Sequence, residues 1–294
     1  IGKALPGKVV YPDFFHRETQ GWLSELLLEF KSKIHFDGLW ISRNEPFSEV
    51  DGSIDGCPAN QDSLERPPYV PAVGQGKLNS RTMCMSARHY GNRVHYDLHS
   101  MYGWSQHRAT FNALAHQTNK QRSIVVSSST FPGSGKYGGH WFGNMGTTYK
   151  AMAESIPSVL AFSLFGIPFA GVDICGVDAE VDEELCARWY QLGAFYPLAR
   201  NHIQATPQDD PLLKHSPALI SIAKEALLTR YLFLPYLYTL FLEAHIQGTP
   251  VARALFYYWP TDAIALGIER QFLWGKALMV SPVLEKGQTS IDVY

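Results

Sequence analysis

The 294-residue chain lacks a strong charge of one sign and lacks a long apolar run. Its formal net charge is −2 and only 18% of its residues are charged, so no basic surface for nucleic acid is expected. The longest apolar stretch, residues 231–241, contains Pro235. It falls short of the roughly 18 apolar residues that cross a bilayer. We therefore expect no nucleic-acid partner and no membrane span in this segment.

Cysteine is scarce, and none of the four cysteines forms a C-x-x-C pair. The spacing that is typical of structural zinc sites is absent, so we expect no metal. Four free thiols and two disulfides remain as alternatives, and four cysteines allow three pairings. Residue types and spacing leave this choice open.

A leader sequence and N-x-S/T glycosylation sites are also absent from the chain. The sequence starts at Ile1 without a methionine and stops at Tyr294 in the middle of a strand-like pattern. We expect both ends to lie inside a longer protein.

Hydrophobic residues make up 46% of the chain, which is enough for one sizeable core. Apolar periodicity predicts helices that alternate with short apolar strands, which is typical of a parallel α/β fold. The predicted strands are 38–41, 123–126 and 169–172. The predicted helices are 17–35, 102–118, 151–164, 183–194 and 218–245, the last interrupted near Pro235.

After about Thr249 the pattern changes to short strands without helices between them, at 251–257 and 278–283. This change predicts a domain boundary, with 1–249 as part of an α/β barrel and 250–294 as the beginning of a β domain. Polar residues that directly follow parallel strands gather at one face of such a barrel.

Two segments that follow strands mix aromatic rings with hydrogen-bonding groups, at 40–46 and 129–144. Sugars need flat apolar surfaces and polar partners, so carbohydrate binding is one interpretation and a filled barrel rim is the other. The glycine-rich part of the second segment, G-S-G-K-Y at 133–137, lacks the spacing of a phosphate-binding loop.

Residues 39–46 read L-W-I-S-R-N-E-P, and residues 127–144 read S-S-S-T-F-P-G-S-G-K-Y-G-G-H-W-F-G-N. Both segments resemble signatures of glycoside hydrolase family 31. G-V-D-I-C-G at 171–176, L-G-A-F-Y-P at 192–197 and R-N-H at 200–202 match further motifs. D-G-C-P at 55–58 and P-P-Y-V-P at 67–71 are similar to the lysosomal acid α-glucosidase branch. The resemblance implies the later part of a (β/α)8 barrel, followed by the start of a β-sandwich domain.

The resemblance also implies a retaining mechanism, in which one carboxylate is the nucleophile and another is the acid/base, about 5–5.5 Å apart. The nucleophile position holds Ser42 and the acid/base position holds Asn144. A serine hydroxyl without a base is a poor nucleophile, and an asparagine amide has no proton to donate at a useful pKa. We therefore expect an α-glucosidase homologue that is catalytically inactive.

The other pocket positions that the resemblance assigns are partly changed. Leu5 replaces a tryptophan, Arg43 a methionine and Ser128 an arginine. The aromatic residues Trp40 and Trp141 are kept, as are Asp173 and His202 as hydroxyl-binding groups. We expect these four residues to face an α-glucoside or oligosaccharide ligand, with no cofactor. The alternative for Asp173 is a structural role, as a strand-end carboxylate that holds neighbouring loops. The alternative for His202 is a histidine that only fills the barrel rim.

The cysteines match those of the lysosomal branch, which implies the pairs Cys57–Cys84 and Cys175–Cys186. Such pairs form in the secretory pathway, so a lysosomal or secreted protein is expected.

Two other functional hypotheses remain. The protein is an active retaining α-glucosidase that uses rearranged carboxylates such as Glu45 with Asp173, or it is a non-functional fragment or decayed gene copy. A partial barrel has unpaired strand edges, which promote aggregation.

Overall fold

A computed structural model describes residues 1–5, 7–58, 62–69, 71–72, 74–117, 122–143, 145–177, 182–202, 212 and 215–294. The chain divides into two compact units, Ile1–Gly138 and Gly139–Tyr294. Each unit is built from parallel strands and helices, so the expected α/β class is confirmed. None of the helices in the described ranges is long and apolar enough to span a bilayer.

In its described residues, the first unit contains one parallel strand pair, two antiparallel pairs and three α-helices. Its elements are β1 (Gly2–Ala4), β2 (Gly7–Val9), α1 (Thr19–Lys33), β3 (Gly38–Ile41), α2 (Asp62–Glu65), β4 (Arg88–His89), β5 (Arg93–Val94), α3 (His95–Gln117) and β6 (Ile124–Ser127). Strands β3 and β6 are parallel, with Ile41 opposite Ser127. This register brings the polar segments that follow the two strands to the same edge.

Helix α3 packs against α1, β3 and β6, and its Gly103 lies where these elements meet. A Cβ atom on Gly103 would lie 2.6 Å from Ser129 Oγ and 2.9 Å from the Asn44 carbonyl oxygen. Any larger residue at this position would push the segments that follow β3 and β6 away from the helix.

The second unit begins with a β-α-β-α-β run and continues into a long helix and a small antiparallel sheet. Its elements are β7 (Gly139–Trp141), α4 (Tyr149–Leu164), β8 (Ala170–Ile174), α5 (Glu183–Gly193), β9 (Leu198–Asn201), α6 (Pro217–Gln247), β10 (Ala252–Ala254), α7 (Ala263–Leu266), β11 (Phe272–Trp274) and β12 (Leu278–Val280). Strands β7, β8 and β9 are parallel neighbours, with Asp173 opposite Arg200. A Cβ atom on Gly171 would lie 1.6 Å from the Leu198 carbonyl oxygen, so β9 can approach β8 this closely only beside glycine.

The core of the second unit is formed by large side chains that are fully buried, among them Trp189, Tyr196 and Trp274. Tyr196 shares a 2.6 Å hydrogen bond with Ser155 of α4. The Arg230 guanidinium of α6 donates to the carbonyl oxygens of Ala194, Tyr196 and Pro197. These bonds fix the connection that leads into β9.

The predicted interruption of the long helix at Pro235 is wrong, because α6 is continuous from Pro217 to Gln247. Proline removes one helical hydrogen bond. Packing on its C-terminal side offsets this loss, since Leu237 and Leu240 are buried and Tyr236 Oη donates to the Trp274 carbonyl oxygen at 2.8 Å. Local sequence could not weigh these tertiary contacts.

Other boundaries also differ from the predictions. Helix α3 begins at His95 rather than near Tyr102, and β7 lies within the segment that was interpreted as a glycine-rich loop. The short β9 precedes His202, and β11 lies between the two strands predicted after Thr249. These strands have three or four residues, which is too short for periodicity to mark them.

Candidate functional site

The segment that follows β3 carries the residues that the resemblance places at the nucleophile. Ser42 is exposed and Trp40 is 36% exposed. The Ser128 backbone N–H donates to the Ile41 carbonyl oxygen at 3.3 Å, so Ser42 and Ser128 lie at the same end of the parallel pair. In the described part of the chain Ser42 has no hydrogen-bond partner, so it lacks the adjacent base that activates a serine.

Asn44 ties the ends of β3 and β6 together. It is 3% exposed, its amide nitrogen donates to Ser127 Oγ at 2.7 Å, and its side-chain oxygen accepts from the Ser129 N–H at 2.7 Å. The amide nitrogen also donates to the Gly103 carbonyl oxygen at 3.3 Å. Asn44, two residues after Ser42, is therefore bonded to the residues on both sides of Ser128.

The three altered pocket positions differ in their surroundings. Leu5 is 92% exposed, and Arg43 is exposed with its guanidinium 4.4 Å from the centre of the Phe47 ring. The Ser128 hydroxyl is buried and has no hydrogen-bond partner in the described ranges.

Asp173 lies at the end of β8 and is fully buried. Trp141 Nε1 of β7 donates to Asp173 Oδ1 at 2.9 Å, and Arg200 Nε of β9 lies 3.5 Å from the same oxygen. The Arg200 guanidinium is also 5.3 Å from the centre of the Trp141 ring. Three neighbouring parallel strands thus bring a carboxylate, an indole and a guanidinium together.

The Asp173 carboxyl group is partly unsatisfied. Burial raises its pKa to about 6, although the Arg200 charge and the Trp141 hydrogen bond both lower it. Its second oxygen, Oδ2, is buried without a hydrogen-bond partner in the described ranges. An orphaned buried acceptor is unfavourable in isolation, and a ligand hydroxyl is the kind of donor that would satisfy it.

His202 directly follows β9 and is half-buried. Its pKa is lowered by burial and by the positive charge of Arg200. The imidazole is therefore neutral at neutral pH, when it can both donate and accept a hydrogen bond. Asn144, the acid/base position, lies outside the described residues.

Both disulfides are those implied by the resemblance: Cys57–Cys84 and Cys175–Cys186, with Cα separations of 5.7 Å and 4.4 Å. Among the described residues, the group with metal-ligand geometry is Cys57, Glu65 and Cys84. Its two sulfur atoms are bonded to each other, and the Glu65 carboxylate accepts from the Met85 and Ser86 N–H groups at 3.1 and 2.9 Å. Cysteine binds a metal as a thiolate, and these two cysteines form a disulfide, so the group has a structural role.

Two arginines were not selected as site residues from the sequence. Arg200 belongs to the R-N-H motif, but its contact with Asp173 requires β9 to be recognised as a strand. Arg81 lies 5.0 Å from the Phe47 ring centre. No local pattern marks it, because a tertiary contact brings it to the residues that follow β3.

Parallel strands that alternate with helices and carry polar side chains at their ends define an α/β barrel type of enzyme scaffold. A model of the glycosyl hydrolase family 31 TIM-barrel domain matches residues 1–240, and a model of the family 31 C-terminal domain matches residues 248–294. The chain therefore belongs to glycosyl hydrolase family 31. Its fold is part of the family's barrel domain, followed by part of the C-terminal domain.

Curated relatives support the same assignment. Lysosomal alpha-glucosidase of Bos taurus is 43% identical over the whole chain, which spans 31% of that relative. The Rattus norvegicus protein of the same name is 44% identical over the whole chain and 30% of its own length. Intestinal sucrase-isomaltase of Homo sapiens is 40% identical over the whole chain and 16% of its length. The chain thus spans about a third of the first two relatives.

Solved structures of the family share the fold. A glucosidase II alpha subunit bound to alpha3-Glc2 is 31% identical, with a TM-score of 0.84 over 100% of this chain and 29% of that one. A Flavobacterium johnsoniae family 31 dextranase complexed with glucose is 26% identical, with a TM-score of 0.81 over 100% of this chain and 34% of that one. The lysosomal relatives and the two disulfides are consistent with the secretory pathway.

Proposed function

We propose that this chain is the barrel segment of a family 31 α-glucosidase homologue that binds α-glucosides without hydrolysing them. The observation that carries the proposal is the identity of two side chains, Ser42 at the nucleophile position and Asn144 at the acid/base position. A retaining glycosidase needs a carboxylate at each of these positions.

Without the nucleophile, no covalent glycosyl intermediate can form on the protein. Without the acid, the leaving oxygen departs without a proton. An exposed serine that lacks a base supplies neither function, and neither does an uncharged amide.

Binding is attributed to the residues that the resemblance retains, Trp40, Trp141, Asp173 and His202. Asp173 supports this assignment best, because its Oδ2 is a buried acceptor without a partner among the described residues. The Trp141 ring is positioned by its bond to Asp173 Oδ1 and offers an apolar face to a sugar ring. Maltose and longer α-1,4-linked glucosides are the proposed ligand class.

The proposal extends to the organisation and location of the chain. We assign residues 1–249 to the barrel and 250–294 to the C-terminal domain, and we assign the protein to the lysosome or to secretion. The domain assignment rests on the change of sequence pattern near Thr249. The location rests on the lysosomal relatives.

The test combines calorimetric binding of maltose with turnover of a chromogenic α-glucoside by the purified protein. We expect measurable maltose binding and a rate no higher than that of a blank without protein. Turnover above the blank that disappears in Glu45→Gln would overturn the proposal and support rearranged carboxylates. Absence of both binding and turnover in a folded protein would reject sugar binding.

A further inference from the structure

Two arginines share one aromatic ring beside the nucleophile position. The Arg43 and Arg81 guanidinium carbons lie 4.4 Å and 5.0 Å from the centre of the Phe47 ring. Both arginine side chains are exposed, and Arg43 directly follows Ser42. Cations placed this close to an aromatic ring are attracted to it, which limits the orientations that each side chain adopts.

The backbone holds both arginines in place. Phe47 forms an antiparallel bridge with Thr82, and the Ser48 N–H donates to the Arg81 carbonyl oxygen at 2.8 Å. The Thr82 hydroxyl, which is buried, donates to the Pro46 carbonyl oxygen at 2.9 Å. Backbone hydrogen bonds therefore connect the segment after β3 to the segment before Cys84, next to Arg43 and Arg81.

Both arginines also have left-handed backbone conformations, with φ of 52° at Arg43 and 53° at Arg81. This region is unfavourable for residues with a side chain, and it persists only where the surrounding structure enforces it. Two such residues on one ring indicate a preorganised arrangement rather than two freely rotating surface cations.

Two nearby carboxylates pair with lysines rather than with these arginines, Glu49 with Lys3 at 3.7 Å and Asp51 with Lys77 at 3.1 Å. Asp51 Oδ1 also accepts from the Arg81 backbone N–H at 3.1 Å, but not from its guanidinium. Within the part of the chain that the structure describes, neither guanidinium lies within ion-pair distance of a carboxylate. The aromatic ring attracts the cations but carries no net charge, so the pair keeps its positive charge and its N–H donors.

The charge at the end of β3 differs from the one that the resemblance implies. The resemblance places an aspartate at position 42 and a methionine at position 43, where this chain has Ser42 and Arg43. One negative charge is absent and one positive charge is present at the end of β3, and Arg81 adds another. A neutral glucoside gains nothing from this charge, whereas an oxyanion binds guanidinium forks through paired, charge-assisted hydrogen bonds.

We propose that Arg43 and Arg81, positioned by Phe47, form a binding site for an oxyanion group, and that the natural ligand is a saccharide that carries a carboxylate, phosphate or sulfate. The saccharide part of this inference rests on the proposed function, but the anion site does not.

The first experiment measures the site alone with inorganic sulfate and phosphate. Chemical shifts of the arginine Nε–Hε groups are followed at constant ionic strength, with chloride as the reference. We expect saturable shifts of two arginine signals, and we expect Arg43→Met and Arg81→Ala each to weaken the apparent affinity about tenfold. Arg93→Ala is the matched control, because Arg93 is also exposed and lies over a phenylalanine ring, at 5.3 Å from the centre of Phe15. It should leave the titration unchanged.

The second experiment compares maltose with maltose phosphate and with a disaccharide that ends in glucuronate. We expect an acidic sugar to bind at least about tenfold more tightly than maltose at low salt, and its advantage to shrink as sodium chloride is raised. The acidic sugar that binds more tightly identifies the group. Equal affinities, together with sulfate shifts that are unchanged in Arg43→Met, would overturn the inference. Sulfate binding at Arg43 and Arg81 without sugar binding would keep the anion site and reject the saccharide ligand.

Discussion

The ends of β3 and β8 carry different kinds of side chain. At the end of β8 the Asp173 carboxylate is fully buried and contacts Trp141 and Arg200. After β3 lie an exposed hydroxyl, Ser42, and an exposed cation, Arg43. The end of β8 thus holds a buried carboxylate with two polar partners, whereas Ser42 and Arg43 expose a hydroxyl and a positive charge.

The difference follows from how each residue is connected to the fold. Replacing Asp173 removes its contacts with Trp141 and Arg200, and losing a hydrogen bond at a buried group costs about 1–3 kcal/mol. Replacing an exposed residue with no bonded neighbours changes stability by no more than about 0.5 kcal/mol. Substitution at position 42 is therefore expected to have little effect on folding, whereas a residue at position 173 that cannot accept from Trp141 is expected to destabilise the fold.

The largest effects are expected from removing the disulfides, and they should differ between the two regions. Loop-closure entropy gives about 3.5 kcal/mol for Cys57–Cys84, which are 27 residues apart, and about 3 kcal/mol for Cys175–Cys186, which are 11 apart. We expect paired alanine substitutions to lower the free energy of unfolding by about these amounts in urea titrations. Cys175 directly follows β8 and lies two residues after Asp173. The double alanine substitution of Cys175 and Cys186 should therefore weaken maltose binding, whereas that of Cys57 and Cys84 should not.

The comparison would break if the Cys57 and Cys84 alanine pair weakened maltose binding as much as the Cys175 and Cys186 pair. Binding would then depend on the first unit as strongly as on the end of β8.

Asp173→Asn should reduce maltose affinity about tenfold to a hundredfold, because a charged acceptor contributes about 1.5–3 kcal/mol to a hydrogen bond. Asparagine keeps an oxygen that can accept from Trp141 Nε1, so this variant should remain folded. Ser42→Ala is the matched variant at the other strand end and should leave the calorimetric affinity unchanged. The opposite ranking of the two variants would assign ligand binding to the β3 end.

Asn44→Ala should lower the free energy of unfolding by about 1–3 kcal/mol, because it removes the acceptor of the Ser129 N–H and the donor to Ser127 Oγ. Glu45→Ala is the neighbouring control, since Glu45 is exposed, and it should change stability by no more than about 0.5 kcal/mol. Equal effects in urea titrations would mean that Asn44 does not fix this segment.

The sequence predicted the fold where long patterns and motifs were present. Helices α1, α4 and α5 lie within about two residues of their predicted bounds, and the motifs identified the barrel family. Both disulfide pairs also agree with the resemblance. These features depend on information that lies within one segment or one motif.

Contacts between distant segments could not be predicted in this way. The bond between Arg200 and Asp173 depends on the register of β8 and β9, and the meeting of Arg43 with Arg81 depends on the bridge between Phe47 and Thr82. Pro235 was misinterpreted for the same reason, since burial of its neighbours outweighs its local helix penalty. Roles for Trp40, Trp141, Asp173 and His202 stay predictions until binding is measured.

The two units also contain buried groups whose pKa values shift in opposite directions. Burial raises the pKa of Asp173 to about 6 and lowers that of His95 to about 3, the latter with help from His99 and His89. His95 Nδ1 shares a hydrogen bond with His89 Nε2 at 3.0 Å, and His95 Nε2 shares one with His99 Nδ1 at 2.8 Å. His89 Nδ1 lies 2.9 Å from Asp13 Oδ1.

These shifts have opposite consequences for stability as pH falls. Between about pH 6 and 3.8 the folded state binds a proton at Asp173 that the unfolded chain does not, so acidification stabilises the fold at this residue. Between about pH 6.5 and 3 the unfolded chain protonates His95 and the folded state does not, so acidification destabilises the fold at this residue.

Between pH 7 and pH 5, the free energy of unfolding of Asp173→Asn should therefore fall by about 1 kcal/mol more than that of the wild type, and that of His95→Gln should fall by less. His107 also has a pKa lowered by burial, to about 4, so His95→Gln should remove only part of the acid sensitivity. Urea midpoints at the two pH values measure the difference, and a steeper loss in His95→Gln than in the wild type would contradict the assignment of a buried, neutral His95.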